Sequence, residues 1–114
     1  MKDDRLYLLH IVERIDRNGS AGAAGREAFL KDVSIQDAVI RNLEFIGEAA
    51  KRISKPLMDQ NPQVPWRMLA RLRDLLIHHY ERVIVTEIWK IIEMDLPQVK
   101  NSIQAVIHRL EQPQ

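Results

Sequence analysis

Residues 73–80 read RDLLIHHY and end the longer run WRMLARLRDLLIHHY, 66–80. Leu75, Leu76 and Ile77 hold this stretch in a core while an arginine, an aspartate, two histidines and a tyrosine crowd around them. As an α-helix turning about 100° per residue, it puts Arg73, Ile77 and Tyr80 on one stripe and Asp74 and His78, one turn apart, on another. His78 then lies about 140° round from Arg73, so one straight helix cannot aim both at a single small target. Either the helix breaks nearby, or the target is met by more than one chain.

Outward from this stretch the same helical spacing recurs. Pro65 suits the first turn of the helix that carries it, and KPLMDQNPQVP, 55–65, has room for one helical turn around Leu57 and Met58. Upstream, VSIQDAVIRNLEFIGEAAKRIS, 33–54, gathers Ile35, Ala38, Val39, Asn42, Phe45, Ile46, Ala49, Ala50 and Ile53 on one broad side. Ser34 and Asp37 make a capping-box-like start for it. Gly47 sits in mid-helix at a cost of about 1 kcal/mol relative to alanine, which predicts the close approach of another backbone. Asn42, among apolar neighbours, needs partners: either an interhelical hydrogen bond that fixes register, or a place in the lining of a site.

A first helix is expected over 3–17, burying Leu8, Ile11, Val12 and Ile15 and stopped by Asn18 and Gly19. GSAGAAG, 19–25, reads as a mobile connection, followed by a short amphipathic piece that buries Phe29 and Leu30. Downstream, Val83 to Val85 mark a turn before a cap at Thr86. The last helical region, 86–111, places Ile88, Trp89, Ile92, Leu96, Val99, Ile103, Val106, Ile107 and Leu110 at helical spacing, with a kink or restart at Pro97. The expected fold is all-α: an up-and-down bundle of about four to five main helices, residues 1–114 forming a single domain.

Composition bounds the function. The 114 residues include no cysteine, which excludes disulfides and thiolate metal sites. Seventeen basic against sixteen acidic residues give a formal charge of +1, so any contact with RNA should be local rather than driven by a large positive field. MKDDRLYLL at the start lacks the apolar run of a signal peptide or membrane span. A soluble, cytoplasmic protein with no membrane partner is the expectation.

The chemistry must come from arginine and histidine. His78 and His79 are neighbours and Asp74 is near, but adjacent helical residues diverge by about 100° and zinc wants three or four converging ligands, so no metal site is expected. Ser20, Ser34, Ser54 and Ser102 lie in no nucleophile motif. A histidine can take and return a proton and an arginine can clamp a phosphate through two parallel hydrogen bonds, a combination that suits RNA phosphodiester cleavage without a cofactor. Two chains meeting across a two-fold axis would supply two His78 side chains and two Arg73 clamps, and would remove the angular mismatch. Asp74 either accepts the ring N–H of His78 or pairs with Arg71. Tyr80 reads as core from its stripe, Lys51 and Arg52 as a solvated face, and His10 as a surface histidine.

RDLLIHHY resembles the R-x4-H-x-Y signature of the HEPN superfamily, specifically its HepT-like toxins. The phrases DAVIRNLEFIGEAAKRIS, NPQVPWRMLARLRDLLIHHY and EIWKIIEMDLPQVK extend the resemblance across most of the chain. The resemblance implies a HEPN-like helical homodimer acting as the metal-independent endoribonuclease of a type VII toxin-antitoxin system. Arg73 and His78 would form its site at the dimer interface, supported by Asp74, His79, Asn42 and Arg71. It further implies that Tyr80 is adenylylated by a cognate minimal nucleotidyltransferase antitoxin, which silences the toxin. Asp74 departs from the asparagine common at that position, and its charge must be neutralised, by Arg71 or Arg73, before a phosphate can approach. The alternative is a catalytically weak helical dimer that serves as binding partner and substrate of the nucleotidyltransferase.

Overall fold

A computed structural model describes residues 2–78 and 85–112, with residues 2 and 75–78 as backbone only. Four longer helices, α1 (Lys2–Ala21), α3 (Val33–Lys51), α5 (Trp66–His78) and α7 (Leu96–Glu111), form the expected helical bundle, joined by short α2 (Arg26–Lys31), α4 (Lys55–Gln60) and α6 (Val85–Lys90). Among the described residues there is no strand. α3 packs against α1 on one side and α5 on the other, and α1 also meets α7. The bundle measures 49 × 27 × 19 Å. Its thinnest dimension is about two helix diameters, so every long helix keeps one face open to solvent.

The core follows the helical period. Leu8, Ile11 and Ile15 of α1, Val39, Leu43, Ile46 and Ala50 of α3, Leu69 and Leu72 of α5, and Val99, Ile103 and Val106 of α7 are buried together, with Phe29 of α2 closing one end. Three expected core residues lie elsewhere: Phe45 and Leu110 are 48% and 43% exposed, and Ala38 is exposed as well. α3 turns Leu43 inward instead, and Phe45 is left at the edge of the stripe, where the Arg14 guanidinium lies 3.7 Å from its ring centroid.

α1 runs past Asn18 and Gly19 to Ala21, against the expected stop. The reason is packing. Asn18 is only 1% exposed, its Oδ1 accepts from Asn42 Nδ2 at 2.8 Å, and its carbonyl accepts from Gly22 N at 2.9 Å. Tertiary contact outweighs the weak helix propensity of asparagine and glycine. Arg14 Nη1 donates to the other side of Asn42, at Oδ1, 3.1 Å away. Asn42 therefore makes the interhelical hydrogen bond that fixes the register of α3 on α1. Gly25, at φ 98, takes the left-handed backbone that turns the chain into α2.

Caps also differ from the sequence pattern. α3 is capped two residues before Ser34, by Asp32, whose Oδ1 accepts from Ser34 N and Ile35 N. Asp4 of α1, buried, accepts from Ser54 N at 2.8 Å and Ser54 Oγ at 2.6 Å, tying the start of α4 to the first helix. Asn61, also buried, donates from Nδ2 to Leu57 O and accepts Trp66 Nε1 at its carbonyl, both at 2.9 Å, which sets the entry of α5. Thr86 lies inside α6 rather than capping it, and the Val83–Ile84 part of the expected turn lies outside the described residues. Pro97 interrupts its helix as expected: Ile91–Asp95 widens to a π-helix and α7 restarts with the proline in its first turn.

Gly47 has the predicted close neighbour. A Cβ placed there would stand 2.7 Å from Arg73 N, 2.9 Å from Arg73 Cβ and 3.1 Å from Leu69 O, so the backbones of α3 and α5 cross at this residue. The obstacle is largely backbone and cannot rotate away. Gly47→Ala is therefore expected to lower the unfolding free energy by about 1–2 kcal/mol, overpacking exceeding the gain in helix propensity; a urea denaturation midpoint equal to or above that of the parent would contradict the crossing. Asn42→Ala should cost about 1–3 kcal/mol in the same assay, because it strands the Asn18 carboxamide in the core.

Candidate active site

α5 runs without interruption from Trp66 to His78. Arg73 and His78 are thus five residues apart on one continuous helix, about 7.5 Å along its axis and about 140° apart around it. No break between them lets a single helix turn both to one point. The His78 side chain lies outside the described residues, as do His79 and Tyr80 entirely.

Arg73 is fixed at two levels. Its backbone rests against Gly47, and its guanidinium, about two-fifths exposed, meets Glu48 Oε2 through Nε at 3.2 Å. Glu48 Oε1 takes Arg52 Nη2 at 3.4 Å. One turn further along α3, Lys51 Nζ donates to Asp74 Oδ1 at 2.7 Å. Two oppositely directed pairs, Glu48 with Arg73 and Lys51 with Asp74, therefore cross the α3–α5 seam. They bring together the arginine, the aspartate and the charged end of α3.

This arrangement changes several expectations. Lys51 is engaged rather than part of a purely solvated face, and it supplies the neutralising charge for Asp74 that Arg71 or Arg73 was expected to provide. Arg71 is exposed and, among the described residues, makes no ion pair with Asp74. Asn42 is buried in the α1–α3 seam with Asn18 and Arg14, not beside Arg73. Sequence reasoning missed Glu48 and the role of Lys51. The available signal was the charged set following Gly47 on α3, Glu48, Lys51 and Arg52, spaced three and four residues apart and so sharing a face.

On this same face of α3, Arg52 also leans toward the Tyr7 ring, 5.9 Å from its centroid. Its pKa is raised above the ordinary value, first by the Tyr7 hydroxyl and then by Glu48. His10 stands edge-on to Tyr7. Among the described residues no group of three or more His, Asp or Glu side chains could hold a metal ion, and no helix is long and apolar enough to cross a membrane.

The chain is similar to known proteins. Residues 8–106 match the family described as ribonuclease HepT-like. A Methanocaldococcus jannaschii protein provisionally named an RNase is 40% identical over 111 residues, 96% of this chain and 92% of its own length. A Caldanaerobacter subterraneus protein, also provisionally named an RNase, is 34% identical over 96% of this chain and 98% of its own. A Thermococcus cleftensis protein provisionally named ribonuclease HepT is 46% identical over 78 residues, 68% of this chain and 71% of its own. No solved structure matches. With its helical bundle and with 8–106 matched, the chain belongs to the HepT-like ribonuclease family.

Proposed function

We propose that this chain is a HEPN-type endoribonuclease, the toxin of a type VII toxin-antitoxin pair, which cuts RNA without a metal at a site composed by two copies of itself. The observation that carries the reading is the continuous α5. It holds Arg73 half-exposed with Nε on Glu48, while His78 stands about 140° away on the same rod. A single copy cannot converge these groups. Two copies docked about a two-fold axis would bring each histidine to the other's arginine.

In this mechanism one His78 takes the proton of the RNA 2'-hydroxyl. The 2'-oxygen attacks the adjacent phosphorus, forming a 2',3'-cyclic phosphate as the bond to the 5'-oxygen breaks. The second His78 returns a proton to that leaving oxygen. The Arg73 guanidinium, oriented through Nε by Glu48, directs its terminal N–H groups at the charge that builds on the non-bridging oxygens. Asp74, paired with Lys51, no longer presents a bare negative charge to the phosphate. His79 and Arg71, close to His78 and Arg73 in sequence, are the supporting candidates, whereas Asn42 is taken up in holding α3 to α1. Tyr80, two residues past His78, is the group that a cognate minimal nucleotidyltransferase adenylylates in the cytoplasm to silence cleavage.

Cleavage of a labelled RNA in the presence of chelator tests the core of this. His78→Ala should reduce the rate by about 100-fold or more and Arg73→Ala by a comparable factor. Activity that survives His78→Ala, or disappears on adding chelator, rules the mechanism out. Incubation with the neighbouring nucleotidyltransferase and ATP should add AMP to the parent and not to Tyr80→Phe, as read by intact mass. An adduct that persists in Tyr80→Phe places the modification elsewhere, and one found on a parent that does not cut RNA favours a binding partner over an enzyme.

A further inference from the structure

The charge of the chain is close to zero, yet its arginines are not evenly spread. A groove runs between α1 and α3. One section, of about 280 Å³, is lined by Tyr7, His10, Arg14, Phe45, Glu48 and Arg52. The adjoining section shares Arg14 and Phe45 and adds Arg17 and Arg41. Along the whole length, four arginines (Arg14, Arg17, Arg41, Arg52) stand against two glutamates, Glu13 and Glu48. Arg41 is exposed and makes no ion pair among the described residues.

Aromatic surface is interleaved with these cations. Phe45 is half exposed with the Arg14 guanidinium lying on it at 3.7 Å, and Arg14 is itself held by Asn42. The result is a held cation–π pair at the point where the two sections meet. One turn along α3, Glu48 belongs to the groove wall and also holds Arg73. Glu48 is thus the link between the groove and the arginine assigned to the scissile phosphate, which does not itself line the groove.

We infer that this groove is the track for single-stranded RNA flanking the cleaved bond. A base stacks on the Arg14–Phe45 pair, and backbone phosphates face Arg17 and Arg41. The inference rests on the ribonuclease reading above and extends it to how substrate is held. Single-strand binders combine a cationic groove with aromatic platforms on which any base can stack, so the flanking nucleotides are held with little sequence preference. A second copy of the chain suits the groove less well, since a two-fold seam would press this arginine-rich patch against itself.

The test uses the full chain carrying His78→Ala, so that RNA is bound but not cut. A fluorescein-labelled single-stranded RNA of mixed sequence is titrated by anisotropy at several salt concentrations. Added to this background, Phe45→Ala should weaken binding about tenfold without changing the salt dependence. Arg41→Ala should weaken it and flatten the slope of log K against log salt by about 0.7, one phosphate contact. Both side chains are exposed, and unchanged thermal midpoints verify the fold. Binding within twofold of the background for both variants overturns the inference. So does a shift of either variant to a smaller species in sedimentation, which makes the groove a seam between copies. A chain with His78 intact that fails to cut RNA removes the ribonuclease reading, whereas one that cuts while both variants bind unimpaired removes the groove alone.

Discussion

The crossing of α3 over α5 at Gly47 is the constraint on which the rest of the site depends. Because Gly47 carries no side chain, Arg73 N and Cβ lie within about the distance a methyl group would occupy. Everything charged on the two helices is then set by that contact. Glu48, the next residue, is brought to Arg73, and Lys51, one turn on, is brought to Asp74. A larger residue would separate the helices and with them both pairs, although neither pair touches position 47.

These pairs orient more than they stabilise. Their side chains are between about a third and a half exposed, a setting in which an ion pair contributes roughly 0–1 kcal/mol. Stability comes from the buried aliphatic stripes and from the Asn18–Asn42–Arg14 chain that holds α1 to α3. Since a net charge of +1 leaves little long-range attraction for a polyanion, what matters for recognition is where the cations collect. They collect in the α1–α3 groove, beside Phe45 and Tyr7.

Much of this is legible along the chain because it is local. The period of apolar residues marks the helices. A glycine in mid-helix predicts a close neighbour, and a proline within a helical run predicts an interruption, which takes the form of a π-helix ahead of α7. Asn42 in an apolar face predicts a hydrogen-bonded partner, though not which one. Where the reading slips in α1, a nonlocal contact competes with a local preference: the helix passes through Asn18 and Gly19 because Asn18 is buried on α3. The start of α3 is a choice between two local caps, and Asp32 takes it over Ser34 because its carboxylate reaches two free N–H groups.

Taken alone, the sequence determined the all-helical class, the buried stripes and the angle of about 140° between Arg73 and His78, since each follows from the turn per residue of a single helix. Only the tertiary structure decided that Lys51 neutralises Asp74, that Glu48 orients Arg73 and that Phe45 faces outward beneath Arg14. Those outcomes join residues more than twenty positions apart. They depend on which helix faces meet and how closely, and that distance is fixed by packing rather than by anything encoded within one turn.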